Sequence, residues 1–248
     1  MRIILIFLRK QNMKRVHVSW NLAKKAVAFV VGLGALGIVG GTLVFAASTS
    51  DFSQTINAGT LATDIRSNST TSVSSPSVSM TAKTFSFNCQ SGGSASTGTF
   101  GTSSQRVYVD NPDAADNGWT LTLAATNGAT STWANGGATQ KFDFNDSSGS
   151  GCTDGADADA FGGQLTVDPS VGTTTADYSG SSTTGISLGS SASYVQGATD
   201  SVTLVTASSG SADVWRGYFT GISMSQSIPA EQAADTYTIN LTLTATAQ

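Results

Sequence analysis

Tyr237-Thr238-Ile239-Asn240-Leu241-Thr242-Leu243-Thr244 decides the fold class. Apolar side chains fall on every second residue and polar ones fill the gaps. A backbone whose side chains alternate between two faces puts one face in a core and the other in water, which is the period of a β-strand. Trp119-Thr120-Leu121-Thr122-Leu123 repeats the pattern, and shorter instances are Phe85/Phe87, Val107/Val109, Phe142/Phe144, Leu165/Val167, Ile186/Leu188 and Val202/Leu204. Threonine suits the wet face, being β-branched and polar. The stretch 214–228 extends the pattern into one long or bent strand, with Gly217 and Gly221 as expected bulges.

Turn chemistry separates these runs. Asn111-Pro112-Asp113, Asn117-Gly118, Asn127-Gly128, Asn135-Gly136-Gly137 and Asp168-Pro169 are turn formers. The Ser/Thr-rich stretches 67–79 and 172–184 are surface loops or polar edge strands. About ten short strands with this punctuation predict an all-β fold: a single antiparallel β-sandwich, a jelly-roll or Ig-like variant, following an N-terminal hydrophobic export helix.

Charge divides the 248 residues into two unlike pieces. Residues 1–46 carry seven of the twelve Lys and Arg and no acid, whereas 47–248 carry five cations against all sixteen acids, a net charge of −11. Residues 26–47 form a charge-free apolar run behind Lys24 and Lys25. A positive segment before an apolar one is an export signal, and Val44-Phe45-Ala46 fits a cleavage site. If uncut, the same run is long enough for a membrane anchor. Residues 1–46 are therefore a signal peptide or signal anchor, with Met13 a more ordinary start than Met1, and 47–248 are an extracellular domain, secreted or held at the cell surface. Contact with a membrane is expected only through 26–47.

Composition excludes several functions of the exported part. Clustered Lys and Arg, which phosphate neutralisation needs, are missing, so nucleic acid is not an expected partner. The one histidine, His17, lies in the leader, which removes histidine-based triads and histidine-ligated metals from 47–248. No G-x-S-x-G there has a histidine to serve as its base, neither Lys83 nor Lys141 sits in an S-x-x-K, and no enzyme activity is expected. Of these 202 residues, 68 are Ser or Thr and 22 are Gly, a composition suited to strands and turns rather than helices.

Two features remain as candidate chemistry. Cys89 and Cys152 are an even pair in an oxidising compartment, which favours one disulfide over two buried thiols. The acidic stretch 143–168 gathers Asp143, Asn145, Asp146, Asp154, Asp157, Asp159 and Asp168 on a Gly-rich loop. Calcium takes six to eight such oxygens, so this is either a candidate calcium site or a solvated acidic loop pinned by Cys152. Among the aromatics, Trp119 begins an alternating strand and reads as core. Trp133 has polar neighbours on both sides and is the expected exposed ring.

Tyr108-Val109-Asp110-Asn111-Pro112 followed by Asn117-Gly118-Trp119-Thr120-Leu121-Thr122-Leu123 resembles the first signature of WxL-domain surface proteins, in which Trp-x-Leu follows a short acidic turn. Ile228-Pro229-Ala230 and the run from Asp235 to Thr244 are similar to that family's closing strand, with Leu243 where a second Trp is usual. The stretch 50–61 resembles the opening of camelysin-like matrix-fibre proteins. The first resemblance implies non-covalent attachment to a Gram-positive cell wall, with Trp119 and Leu121 as signature and Trp133 or Trp215 as contacts to wall glycan or surface proteins. The second implies self-association into fibres by strand exchange. The expected function is accordingly a non-catalytic wall-binding or adhesive β-sandwich. The alternative is a structural fibre or coat subunit whose segment 48–65 adds to a neighbour's sheet.

Overall fold

The computed structural model describes residues 53–114, 117–155, 159–210 and 213–248. The leader, its cleavage site and the Met13 start lie outside them. Met1–Gln54 and Thr55–Gln248 are separate units, and the second holds every described strand. These strands are β1 (Ala62–Arg66), β2 (Ser96–Phe100), β3 (Arg106–Asn111), β4 (Trp119–Ala125), β5 (Trp133–Asn135), β6 (Lys141–Phe142), β7 (Gln164–Asp168), β8 (Thr173–Ala176), β9 (Ile186–Leu188), β10 (Ala192–Ser193), β11 (Ser201–Ala207), β12 (Trp215–Thr220), β13 (Ile222–Ser227), β14 (Tyr237–Thr238) and β15 (Leu241–Ala247). They pair antiparallel in the orders β1-β3-β12-β8, β10-β7-β13-β2, β15-β4-β11-β9 and β14-β5-β6. The all-β expectation holds.

The first two sheets are halves of one bent sheet. β12 and β13 are separated by Gly221 alone. Along them the partner strand runs from Asn111 opposite Trp215 to Ser96 opposite Gln226, interrupted where the chain turns through Thr102–Gln105. On the other flank β7 and β8 follow the same path, interrupted at Pro169–Val171, where the Asp168 carboxylate accepts the Ser170 N–H at 3.0 Å. All three strands therefore bend along one line. Gly221 and Gly101 both sit there at φ +78°, and the Gly221 N–H donates to the Gly101 carbonyl at 2.8 Å. Left-handed backbone is cheap for glycine and costly for residues with a Cβ.

Gly221 is thus a corner rather than a bulge. Gly217 lies in an unbroken ladder, and its missing side chain makes room for the Trp215 indole and the Thr175 carbonyl. The register shift occurs instead in β11, between Thr203 and Val205.

The bent sheet folds over β4 and β11. Trp119, Leu121, Leu123, Leu204 and Val205 meet Val107, Val109 and Phe219 from one half of the bend, and Leu165, Val167, Ile222 and Met224 from the other. Trp119 packs 5.5 Å from Trp215 and 6.5 Å from Phe219, ring to ring. Tyr194, buried, donates its hydroxyl to the Leu123 carbonyl at 2.7 Å, and burial raises its pKa. Cys89 and Cys152 form a disulfide. It fastens the segment before β2 to the loop before β7.

The alternating run at the C-terminus changes partners midway. Tyr237-Thr238 pairs with β5, and Leu241–Ala247 pairs with β4. Phe85 and Phe87, expected on a strand, lie outside any ladder, Phe87 at a bend, and are 45% and 76% exposed. Two alternating residues are too few to specify a buried face.

The bend generates a contrast between two glycines. A Cβ on Gly101 would sit 2.7 Å from the Phe219 carbonyl oxygen, whereas one on Gly221 meets nothing closer than 3.8 Å. Gly221→Ala is expected to cost about 1–2 kcal/mol, the left-handed penalty alone. Gly101→Ala adds a backbone clash and should cost roughly 3 kcal/mol or more. Urea unfolding at constant m-value measures both; equal losses would remove the corner's asymmetry.

Candidate functional site: a groove beside the edge strands of the sandwich

β15 and β1 are the outermost strands of their sheets, and they approach each other without pairing. Two cavities of about 550 and 450 Å³ lie along this side and share Val78, Met80, Trp133, Tyr237 and Thr238. One wall is the chain from Tyr237 through Leu243, the edge that leads into β15. The other is β1 with the extended stretch 76–86. Ile239, Leu241 and Leu243 on one wall, and Ile65, Val78 and Met80 on the other, are only partly buried against the core. Charge is sparse: Asp64 lines the larger cavity, and Lys83 and Asp235 the smaller. The Asp235 carboxyl lies below its ordinary pKa because Asn135 and the Thr236 N–H donate to it.

Trp133 stands at the centre. Its indole stacks on Phe142 with centroids 5.8 Å apart and planes 7° off parallel, and Tyr237 meets Phe142 edge-on at 5.1 Å. The indole N–H donates to Gln226 Oε1 at 2.8 Å. Gln226 is buried on the inward row of β13, after Ile222 and Met224, and its amide donates to the carbonyls of Asp143 and Ser227. A buried amide needs such partners, because an unmade hydrogen bond costs more than a made one returns. Trp133, the expected exposed ring, is half-buried, because β5 folds back over the core and its polar neighbours form the hairpin around Asn135.

The β1 wall is held from its outer face. Arg66 pairs with Asp64 at 3.1 Å and with Asp110 at 2.6 Å, and lies 5.3 Å from the centre of the Tyr108 ring. Tyr108 donates its hydroxyl to Asp177 at 2.8 Å. Burial pushes the Asp64 carboxyl up, but hydrogen bonds from Ser72, Arg66 and the Ile65 N–H outweigh it, leaving the group below its ordinary 3.8.

The other candidate residues lie elsewhere. Trp119 and Leu121 are fully buried, and Trp215, expected as a contact, is 2% exposed with its N–H donated to the Ser182 carbonyl at 3.0 Å. An indole in the core has no face to offer a glycan. Of the acidic stretch, Asp143, Asn145 and Asp146 are buried, and Asp157 lies outside the described residues. The carboxylates cap backbone N–H groups: Asp143 accepts from Phe144, Asp146 from Ser148 and Gly155, Asp159 from Phe161, and Asp168 from Ser170. Asn145 donates to the Ala129 carbonyl at 2.9 Å, and Asp154 is exposed. Among the described residues no three His, Cys, Asp or Glu side chains gather to hold a metal. Gln226 escapes a reading of the sequence alone; its signal is a glutamine on the inward beat of an otherwise apolar alternation.

Trp133→Ala should destabilise by about 3 kcal/mol, through lost packing. Trp133→Phe keeps a ring but strands Gln226 Oε1 and should cost roughly 1–2 kcal/mol. A loss near zero in urea unfolding would return Trp133 to the surface. Asp64→Asn should lower Tm at neutral pH. Because Asp64 has a depressed folded pKa, its contribution is present above 3.8 and lost as pH falls through the folded value. The Tm gap should therefore close in acid; a gap that persists unchanged would assign the effect to shape rather than charge. No protein-family model matches this chain, and no curated protein or solved structure matches it either.

Proposed function

We propose that this chain is a non-catalytic extracellular structural protein that assembles by β-strand addition, its groove receiving an extended strand from a second copy. The observation that carries this reading is a nearly uncharged groove with an apolar floor beside two strands, β1 and β15, that each end a sheet. An added strand gains main-chain hydrogen bonds from such an edge and buries alternate side chains in the groove. Covering apolar surface is worth about 2.5 kcal/mol per 100 Å², before the cost of ordering the strand.

The donor segment is shorter than the sequence suggests. Residues 62–65 belong to β1 and are laddered to β3, Leu61 packs on the core, and the Gly59 N–H donates to the Pro112 carbonyl at 3.0 Å, which leaves 48–58. Phe52, Ile56 and Ala58 share one beat of that stretch, with the polar Gln54 between Phe52 and Ile56, and Ile56 is 88% exposed. An isoleucine held in water is an apolar side chain without a burial site in its own chain.

A second reading, wall-glycan binding or adhesion, is favoured by Trp133 and Tyr237, whose rings line the same groove. It has lost Trp119 and Trp215 as contacts. Sedimentation of residues 47–248, with and without isolated Gram-positive cell walls, separates the two. Strand addition predicts a pellet without walls and a soluble protein once 48–58 are deleted. A pellet only with walls would assign the groove to glycan; deletion without effect on self-pelleting would end the strand-addition reading.

A further inference from the structure

Residues 76–86 form a strap that meets the outer edge of β2 through Val78–Thr81, and no ladder forms along them. Among the described residues, one backbone–backbone hydrogen bond joins the strap to β2, from the Thr81 N–H to the Thr97 carbonyl at 2.7 Å. The Thr97 N–H is met by a side chain, Thr81 Oγ1, at 2.8 Å. The neighbouring strand on the other side of β2, β13, pairs through five residues. The strap thus holds a strand's place with a fraction of a strand's bonding.

Its side chains repeat the pattern. Val78 and Met80 turn inward, while Ser77, Ser79 and Thr81 are exposed. The two inward groups rest on Gly98, where a Cβ would lie 2.6 Å from Met80 Sδ and 3.0 Å from Val78 Cγ1. Both line the two cavities at once. The strap is tied outside this contact: at one end the Ser77 N–H donates to Gln105 Oε1 at 2.8 Å, and just past the other end stands the Cys89–Cys152 disulfide. It can leave β2 between these ties without being cut from the fold.

We infer that the strap is an internal stand-in for the strand that the groove receives, and that an incoming strand from a second copy pairs with β2 by displacing it. The inference rests on the strand-addition reading and adds the acceptor edge and its gate. Displacement exchanges one backbone hydrogen bond and two hydroxyl bonds, from the Thr97 N–H to Thr81 Oγ1 and from the Ser96 hydroxyl to the Thr81 carbonyl at 2.7 Å, for a ladder along Ser96–Phe100, and Val78 and Met80 for the apolar row of the newcomer. A weakly bonded occupant also protects an exposed edge from unspecific pairing until the right strand arrives.

The test uses the full chain, a synthetic peptide of residues 48–58, and hydrogen exchange read residue by residue. Two variants bracket it. Thr81→Cys with Thr97→Cys locks the strap, since the two hydroxyl oxygens lie 3.4 Å apart. Thr81→Pro loosens it without altering β2, because it removes both the N–H that donates to the Thr97 carbonyl and the hydroxyl that meets the Thr97 N–H. Peptide binding should speed exchange of the Thr81 amide in the wild type at least tenfold and protect Thr97 and Thr99. The lock should weaken binding tenfold or more, and Thr81→Pro should strengthen it. Binding with Thr81 exchange unchanged, and equal in the locked variant, overturns the displaced strap and leaves strand addition standing. Binding to neither the wild type nor Thr81→Pro overturns strand addition, and this inference with it.

Discussion

The Gly221 N–H donates to the Gly101 carbonyl on the line where three long strands change direction together. That contact sets the rest of the architecture. A strand that bends sharply needs a residue that tolerates a left-handed backbone, and a neighbour close enough to carry the ladder across the bend. β12 and β13 bend through one residue, while their neighbours loop out at Thr102–Gln105 and Pro169–Val171. The folded sheet then brings Trp215 and Phe219 from one half, and Ile222 and Met224 from the other, onto the single layer built around β4 and β11.

The same geometry leaves two edge strands, β1 and β15, side by side without a ladder between them. Three strands supply both halves of the bent sheet, but β1 continues along β3 only, and the strap follows β2 without a ladder. Opposite them, β15 ends its sheet with its apolar row half covered. The interior near these edges is held by polar contacts as well as packing. Gln226 joins β13 to Trp133 and to the backbone of the acidic loop, while that loop's carboxylates cap its own N–H groups. Groove and acidic loop are therefore mechanically linked through one buried amide, which fixes the groove's floor while its rim stays accessible.

Much of the fold is legible in the sequence because period-two alternation is a local signal. The strands around Trp119, Val107, Leu165, Ile186 and Val202 lie where that pattern places them. The bend at Gly221 is visible as an interrupted long strand, and 172–184 resolves into an edge strand, Thr173–Ala176, followed by loop. What alternation cannot convey is which sheet a strand joins. The run from Tyr237 to Thr244 keeps its beat while passing from β5 to β4. The site is less legible. Trp133 stands out in the sequence for its polar neighbours, yet those neighbours form a turn and the ring faces inward, because burial depends on tertiary packing rather than on adjacent residues. Trp215 itself offers no sequence signal to separate core from contact; its neighbour Gly217, which opens space for the indole, is the available clue.

The central claim is that a strand from one copy fills the groove of another. Crosslinking from position 56 is the most direct test. Mix isotope-labelled and unlabelled chains carrying a photoreactive residue in place of Ile56, irradiate, and map the products by mass spectrometry. The account predicts mixed-isotope crosslinks to the groove wall, at Met80 and Leu241 through Leu243. Crosslinks confined to single chains, or joining copies away from the groove, would contradict it.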